Sequence, residues 1–254
     1  MRWNLSKFML PLLPLAVACT VAEVAVRRAW VPAYLVPAPS QVIKVFANDR
    51  DLWKATGETA LASGAGFLLS AAVGLLIAIV LSSSRTVERM FYPYAVLFQT
   101  VPIIAIAPML VIWVGFGMPT VIISAFIVSV FPVIANAING LLSTDPPLVD
   151  LFRLYGASRA ATLLKLRLPF ALPAILTGLR VAGGLAVIGA IVGEFITGGG
   201  LGGIIDASRT QQRIARVFAV LLLASGLGIT LFGIVNFVSR RMLRNWHASE
   251  KGTD

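Results

Sequence analysis

Charge is what this chain has least of. Only 13% of its 254 residues are Asp, Glu, Lys or Arg, and none falls between Met90 and Thr144. A soluble domain carries about a quarter charged residues, so the composition excludes one. Cysteine and histidine are each down to a single copy. Cys19 alone forbids an internal disulfide or a cysteine metal site, and His247 stands isolated in a polar tail. No Gly-Lys-Ser/Thr follows a glycine run, so there is no Walker-type nucleotide site. His-Glu-x-x-His and Gly-x-Ser-x-Gly are missing too, and with them the motifs of two hydrolytic enzyme classes. No catalytic residue and no metal site is expected here.

What remains is apolar. Hydrophobic residues make up 58% of the chain and the mean hydropathy is +0.89. Leu61 to Leu81 and Val217 to Ser239 carry no charge, and each matches the roughly 20 residues a helix needs to cross a bilayer. The charge-free run after Met90 is too long for one helix and is broken by Gly115-Phe-Gly-Met-Pro119. The pattern predicts an all-α integral membrane protein of about six transmembrane helices: 8–26, 59–82, 91–114, 119–142, 172–196 and 217–239. No alternating barrel pattern competes with it. The first span is the least regular. Glu23 lies near its end, and Met1 to Lys7 followed by Ala16-Val-Ala-Cys19 also fits a cleaved signal. The segmentation is 1–58 as an anchor plus an outer-surface amphipathic segment, 59–240 as the transmembrane core, and 241–254 as a cytoplasmic tail.

With an even number of spans both termini share a side. Twelve of the 21 Lys and Arg fall on that side and eight on the other, where Asp49, Asp51, Glu58 and Asp206 dilute them. The bias puts the termini and the 143–171 loop in the cytoplasm, and a net charge of +10 suits anionic headgroups without invoking nucleic acid. Outside, Ser40 is expected to cap a short surface helix over Gln41 to Phe46. Gly198-Gly-Gly-Leu-Gly-Gly203 is expected to be a flexible break after the fifth span.

The 143–171 loop is the one long polar insert between apolar segments. Pro147 suits a helix start, Leu148 to Tyr155 gives a short helix, and Gly156 takes the left-handed conformation that ends it. Ser158 caps a second helix through Lys165, and Leu168-Pro169 leads on to the fifth span. Two short helices hinged at a glycine make a compact knuckle. By itself that fits a solvated basic loop as well as a docking element.

The spacing of these residues resembles the EAA loop of type I ABC importer permeases. There an acid stands six residues before a glycine, with Leu-Pro twelve and thirteen after it. Asp150, Gly156, Leu168 and Pro169 stand at those places. Leu151 and Phe152 replace the usual alanines, Asp150 replaces Glu, and Leu166 stands for Ile. Leu35-Val-Pro-Ala-Pro-Ser-Gln-Val42, Thr100-Val-Pro-Ile-Ile-Ala-Ile-Ala-Pro108, Trp113-Val-Gly-Phe-Gly117, Leu168-Pro-Phe-Ala-Leu-Pro173 and Gly193-Glu-Phe195 look like further segments of that family's nitrate/sulfonate/taurine branch. The resemblance covers roughly 35 to 240.

It implies the type I importer transmembrane-domain fold and a transport subunit rather than an enzyme. It also implies a cytoplasmic ABC ATPase dimer that binds the ATP and Mg, a periplasmic or lipid-anchored solute-binding protein, and a second copy of this chain. The coupling residues would be Asp150, Leu154, Tyr155, Gly156, Ala157, Ser158, Leu168 and Pro169. The branch implies a small organic anion (sulfonate-, taurine- or nitrate-like), with a thiamine- or riboflavin-type precursor behind it. An ion-coupled secondary transporter is the rival class, although no inverted repeat supports it.

Ionisable groups at membrane depth are the candidates for the pathway or dimer face. Arg180 and Glu194 are 14 residues apart, about 1400° of turn, which leaves them within roughly 40° of each other and roughly 21 Å apart. Either that face, with Gly178, Gly183, Gly184, Gly189 and Gly193, lines the pathway or meets its symmetry mate, or both charges snorkel to opposite interfaces. Gln99, Asn136 and Asn139 are polar candidates too, with interhelical hydrogen bonding as the plainer account. Pro102, Pro108 and Pro132 are expected to kink their helices.

Overall fold

Proline and glycine decide where the helices of this chain stop. The structure, a computed structural model, describes residues 5–243; the side chains of residues 5–9, 11, 12, 85, 95, 98 and 99 lie outside that description. His247 and most of the 241–254 tail are outside it as well. The described residues form helices and no strand: α1 (Leu5–Arg27), α2 (Pro39–Asn48), α3 (Arg50–Leu81), α4 (Arg85–Thr100), α5 (Ile103–Val114), α6 (Met118–Leu142), α7 (Pro146–Leu154), α8 (Arg159–Thr162), α9 (Leu168–Thr197), α10 (Gly200–Thr210) and α11 (Ile214–Leu243). Among the described residues, four helical stretches are long and apolar enough to span: α3, α6, Arg159–Thr197 and α11.

Two predicted spans change shape. The third is two helices, α4 and α5, because Pro102 has no N–H to give and holds Val101 extended (φ −74°, ψ 123°). Pro108 and Pro132 remain inside α5 and α6. The fifth span does not begin after a loop. A π-type turn over Leu163–Arg167 joins α8 to α9, with the Leu168 N–H reaching back five residues to the Leu163 carbonyl. That wider register absorbs the missing N–H of Pro169, which sits in the first turn of α9.

The core is α6 against α9, flanked by α3, and it is packed with small residues. At Gly189 an added Cβ would lie 2.7 Å from the Ser124 carbonyl oxygen and 2.8 Å from the Ala125 Cα, both backbone atoms that cannot yield. Gly178 meets Pro132 and Asn136 in the same way. Most of the α9 glycine stripe is therefore spent inside the chain, against α6, as small-residue packing between membrane helices requires. Ala62, Ala125, Ala186 and Ala190 continue that seam, and the Ser70 and Ser129 hydroxyls, 3.0 Å apart, bridge α3 to α6.

At the end of the bundle opposite α7 the helices form a cap. Val42 of α2 joins Leu52, Ala55, Leu201, Ala219 and Val220, so α2 packs on α11 instead of only lying on a surface. Ser40 is not the cap of α2. Ala38 takes that place, and Ser40 donates its N–H (3.0 Å) and its hydroxyl (2.8 Å) to Glu23, tying α1 to α2. Asp49 accepts from the Leu52 N–H at the start of α3 and receives the Arg216 guanidinium from α11 at 2.6 and 3.2 Å. Both side chains are only about a fifth exposed (19% and 20%), so water screens the pair weakly. Arg216→Met is expected to lower the melting temperature of the detergent-solubilised protein by a few degrees. In a double-mutant cycle with Asp49→Leu the two losses should not add; additive losses would show that the pair contributes nothing.

Candidate coupling and transport sites

Local chemistry builds α7 with little help from packing. Pro146 and Pro147 occupy its first turn, where a missing N–H costs nothing, and the Leu148 N–H reaches the Asp145 carbonyl at 3.1 Å. At the far end Gly156 takes φ +69°. Its N–H bonds to the Arg153 carbonyl (2.9 Å), and the Ala157 N–H bonds to the Phe152 carbonyl (3.0 Å). That pair of bonds is a Schellman motif, with Gly156 at its left-handed position. Ser158 then caps α8 by accepting from the Ala161 N–H at 3.2 Å. A sharp corner of fixed shape results.

The corner is bare. No residue of α7 is buried; Leu154 is 86% exposed and Tyr155 84% exposed at its tip. Leu148, Leu151 and Leu164 are exposed around them. Asp150 pairs only with Arg153, one turn along, at 3.2 Å. The predicted coupling residues thus divide by position. Asp150, Leu154, Tyr155 and Gly156 are on the tip, and half-buried Ala157 and exposed Ser158 set the corner. Leu168, half-buried, packs against the Ala78, Leu81, Ile138 and Leu141 cluster and roots the corner in the bundle, with Pro169 beside it in the first turn of α9. Arg167 reaches the Ser82 carbonyl at the end of α3 (3.5 Å), a second root.

Glu194 and Arg180 point into separate contacts. Glu194 is 2% exposed, so it does not snorkel. Its carboxylate accepts the Thr59 hydroxyl (2.6 Å) and the Gly202 N–H (2.9 Å), while the Leu201 N–H donates to the Thr59 oxygen (2.9 Å). α9, α3 and α10 are fastened together at this one carboxylate. The glycine run is therefore no flexible break. Gly198 (φ +77°) ends α9, and at Gly200 (φ +55°), which opens α10, an added Cβ would lie 1.9 Å from Glu194 Oε1. Arg180, half-buried, donates to the Ser239 hydroxyl of α11. Asn136 bonds within its own helix, to the Pro132 carbonyl (2.9 Å), and not across to another. Asn139 is exposed, and the Gln99 side chain lies outside the described residues.

Sequence reasoning gave no role to Thr59, Ser239, Asp49 and Arg216, and read Gly202 only as part of a glycine run; Thr59 left a trace as a hydroxyl in the opening turn of an expected span. No group of three or more metal-ligating side chains occurs among the described residues.

A family model described as the binding-protein-dependent transport system inner membrane component matches residues 70–244, the stretch holding α7, its corner and the α6–α9 core. The chain belongs to that family. Its members are ABC transporter permeases, multi-pass inner-membrane transport subunits and not enzymes. The "Probable ABC transporter permease protein" of Haemophilus influenzae is 34% identical over 92% of this chain and 96% of its own. The formylaminopyrimidine transport permease protein of Halalkalibacterium halodurans is 33% identical over 88% of each. The bicarbonate transport system permease protein of Synechococcus elongatus is 27% identical over 71% of this chain and 66% of its own. A solved bacterial ABC transporter involved in importing the polysaccharide alginate shares the fold, with a TM-score of 0.66 over 94% of this chain and 96% of its own, at 17% identity.

Proposed function

We propose that this chain, as a homodimer, forms the pathway of an ATP-driven importer and takes its power stroke through the α7 corner. The carrying observation is the tip itself: large apolar side chains exposed on a corner of fixed backbone shape, with no residue of α7 buried among the described residues. Exposed apolar patches of that kind mark surfaces that a partner covers. Two copies present two tips, which suits a symmetric ATPase pair. The α7 end then lies in the cytoplasm with both termini, and a solute-binding protein delivers to the α2–α10 cap. ATP and Mg are bound by the ATPase. Differential docking of the tip between the two ATPase states supplies the energy of alternating access.

The family does not fit the ion-coupled secondary transporter considered from the sequence. For the solute, the anion reading drawn from the nitrate/sulfonate/taurine branch competes with the vitamin-precursor reading. We favour the second, an uncharged heterocycle of the kind named for the 33% relative.

Leu154→Asp places a charge at the most exposed apolar position of the tip. It is expected to leave the protein folded in membranes while an ATPase subunit no longer co-purifies with it. Full recovery of the ATPase with Leu154→Asp would remove α7 as the docking element.

A further inference from the structure

The importer reading leaves open where the solute rests and what it must look like. We infer that the interruption between α4 and α5 forms the mid-membrane solute site, and that it takes an uncharged flat ring rather than an anion. This inference rests on the importer reading above.

Non-helical backbone is tolerated at membrane depth where it is buried in protein or lines a cavity. Here it lines one. A cavity of about 340 Å³ lies between the break and the middles of α6 and α9, with Val101 and Pro102 on one side and Val128, Phe131 and Leu185 on the other. Phe131 and Pro132 stand near the midpoint of the 25-residue α6, so the cavity sits at mid-depth. Broken helices at that depth are where transporters of other folds hold their cargo.

The lining chooses the ligand. No charged side chain among the described residues lines the cavity, and its one hydroxyl, that of Thr100, donates to the Leu97 carbonyl at 2.8 Å. The two charges of α9 face elsewhere: Arg180 and Glu194 are turned roughly 140° and 180° from Leu185 around the helix. Arg180 is held toward α11 and Glu194 is fastened to α3 and α10. An anion entering the cavity would shed water and meet no cation, which is among the costliest exchanges in a protein interior. What the cavity does offer is apolar walls, the Phe131 ring, and peptide groups released from helical pairing. The Val101 peptide stands outside any helix, whereas the Pro102 carbonyl is taken by the Ala105 N–H at the start of α5. Pro132 lacks the N–H that would have paired with the Val128 carbonyl. Peptide carbonyls beside an aromatic face complement a neutral nitrogen heterocycle, whose edge carries N–H donors.

The test uses the complex with its ATPase, reconstituted in nanodiscs. Cys19→Ser removes the only cysteine, and Val128→Cys then places one thiol in the cavity, with Thr100→Cys as a second position should the first fail to fold. Alkylation by N-ethylmaleimide is followed alone, with 4-amino-2-methylpyrimidine, and with methanesulfonate. The pyrimidine is expected to slow labelling several-fold at the cavity thiol and not at Ser225→Cys on α11, while methanesulfonate leaves both rates unchanged. Protection by methanesulfonate overturns the selectivity for a neutral ring. No protection by either probe, with the ATPase present in the complex, overturns the site alone. Absence of any ATPase from the complex overturns the importer reading on which the inference rests.

Discussion

Glu194→Ala should release α10 from the bundle while leaving the α7 corner untouched. The carboxylate is fully enclosed and is the shared acceptor for α3 and α10. Without it the Gly202 N–H has lost its protein acceptor, and the Thr59 hydroxyl must turn elsewhere. A buried donor left unsatisfied costs about 1–3 kcal/mol. Taking about 2 kcal/mol for the pair, the backbone amides of α10 should exchange with deuterium roughly 30-fold faster, since 1.4 kcal/mol is about tenfold. Those of α7 should not change. Glu194→Gln is expected to stay near the alanine variant, because its amide offers one acceptor and turns an NH2 toward the remaining donor. Gly200→Ala reaches the same result from the other side by driving a methyl into the carboxylate. Unaltered exchange of α10 in all three variants would show that the carboxylate does not hold it.

Gly156→Val should separate the bundle from its engine. Nothing lies within 4 Å of a Cβ added at Gly156, so its cost is backbone conformation alone, at φ +69°. Holding an ordinary residue there costs about 1–2 kcal/mol, and a β-branched one is among the worst suited. Since α7 buries no residue, no packing opposes that strain and the corner opens. The melting temperature of the protein should stay put while affinity for the ATPase falls about tenfold or more. Gly156→Asn is the control, because asparagine tolerates the left-handed region, and it should keep most of the affinity. If asparagine fails as badly as valine, a side chain at 156 obstructs the partner and backbone shape is not the cause.

These two positions also mark the limits of what the sequence discloses. The α7 corner was legible residue by residue because each part of it is local. Paired prolines start a helix, a glycine ends it within two hydrogen bonds, and a serine starts the next. The glycine run after Glu194 obeyed the same local chemistry, yet Thr59, which its Leu201 N–H meets, lies 142 residues away, so the run read as slack. Arg216 and Asp49 are separated by 167 residues and left no pattern at all. Span counting by hydropathy found the apolar segments but not the state of the backbone within them. Pro102, Pro108 and Pro132 look alike in sequence. Whether a proline breaks a helix depends on whether neighbouring helices supply other partners for the groups it frees, and that is a property of the packed bundle.

The stretch from Arg159 to Thr197 is one helical rod of 39 residues, about 58 Å long. Its first turns belong to the exposed corner and its last turns carry the carboxylate that fastens the cap. The rod is gripped near its middle, where Gly178 and Gly189 bring its backbone against α6. Continuous helix, held at its middle and rooted near its first turns by Leu168 and Arg167, joins the two ends mechanically. On the importer reading proposed above, a tilt imposed at the corner end would be felt at the Glu194 end, with no loop between them to absorb it. In the importer proposed above, opening of the far side would be the same displacement as the stroke that drives it, seen from the other end of the helix.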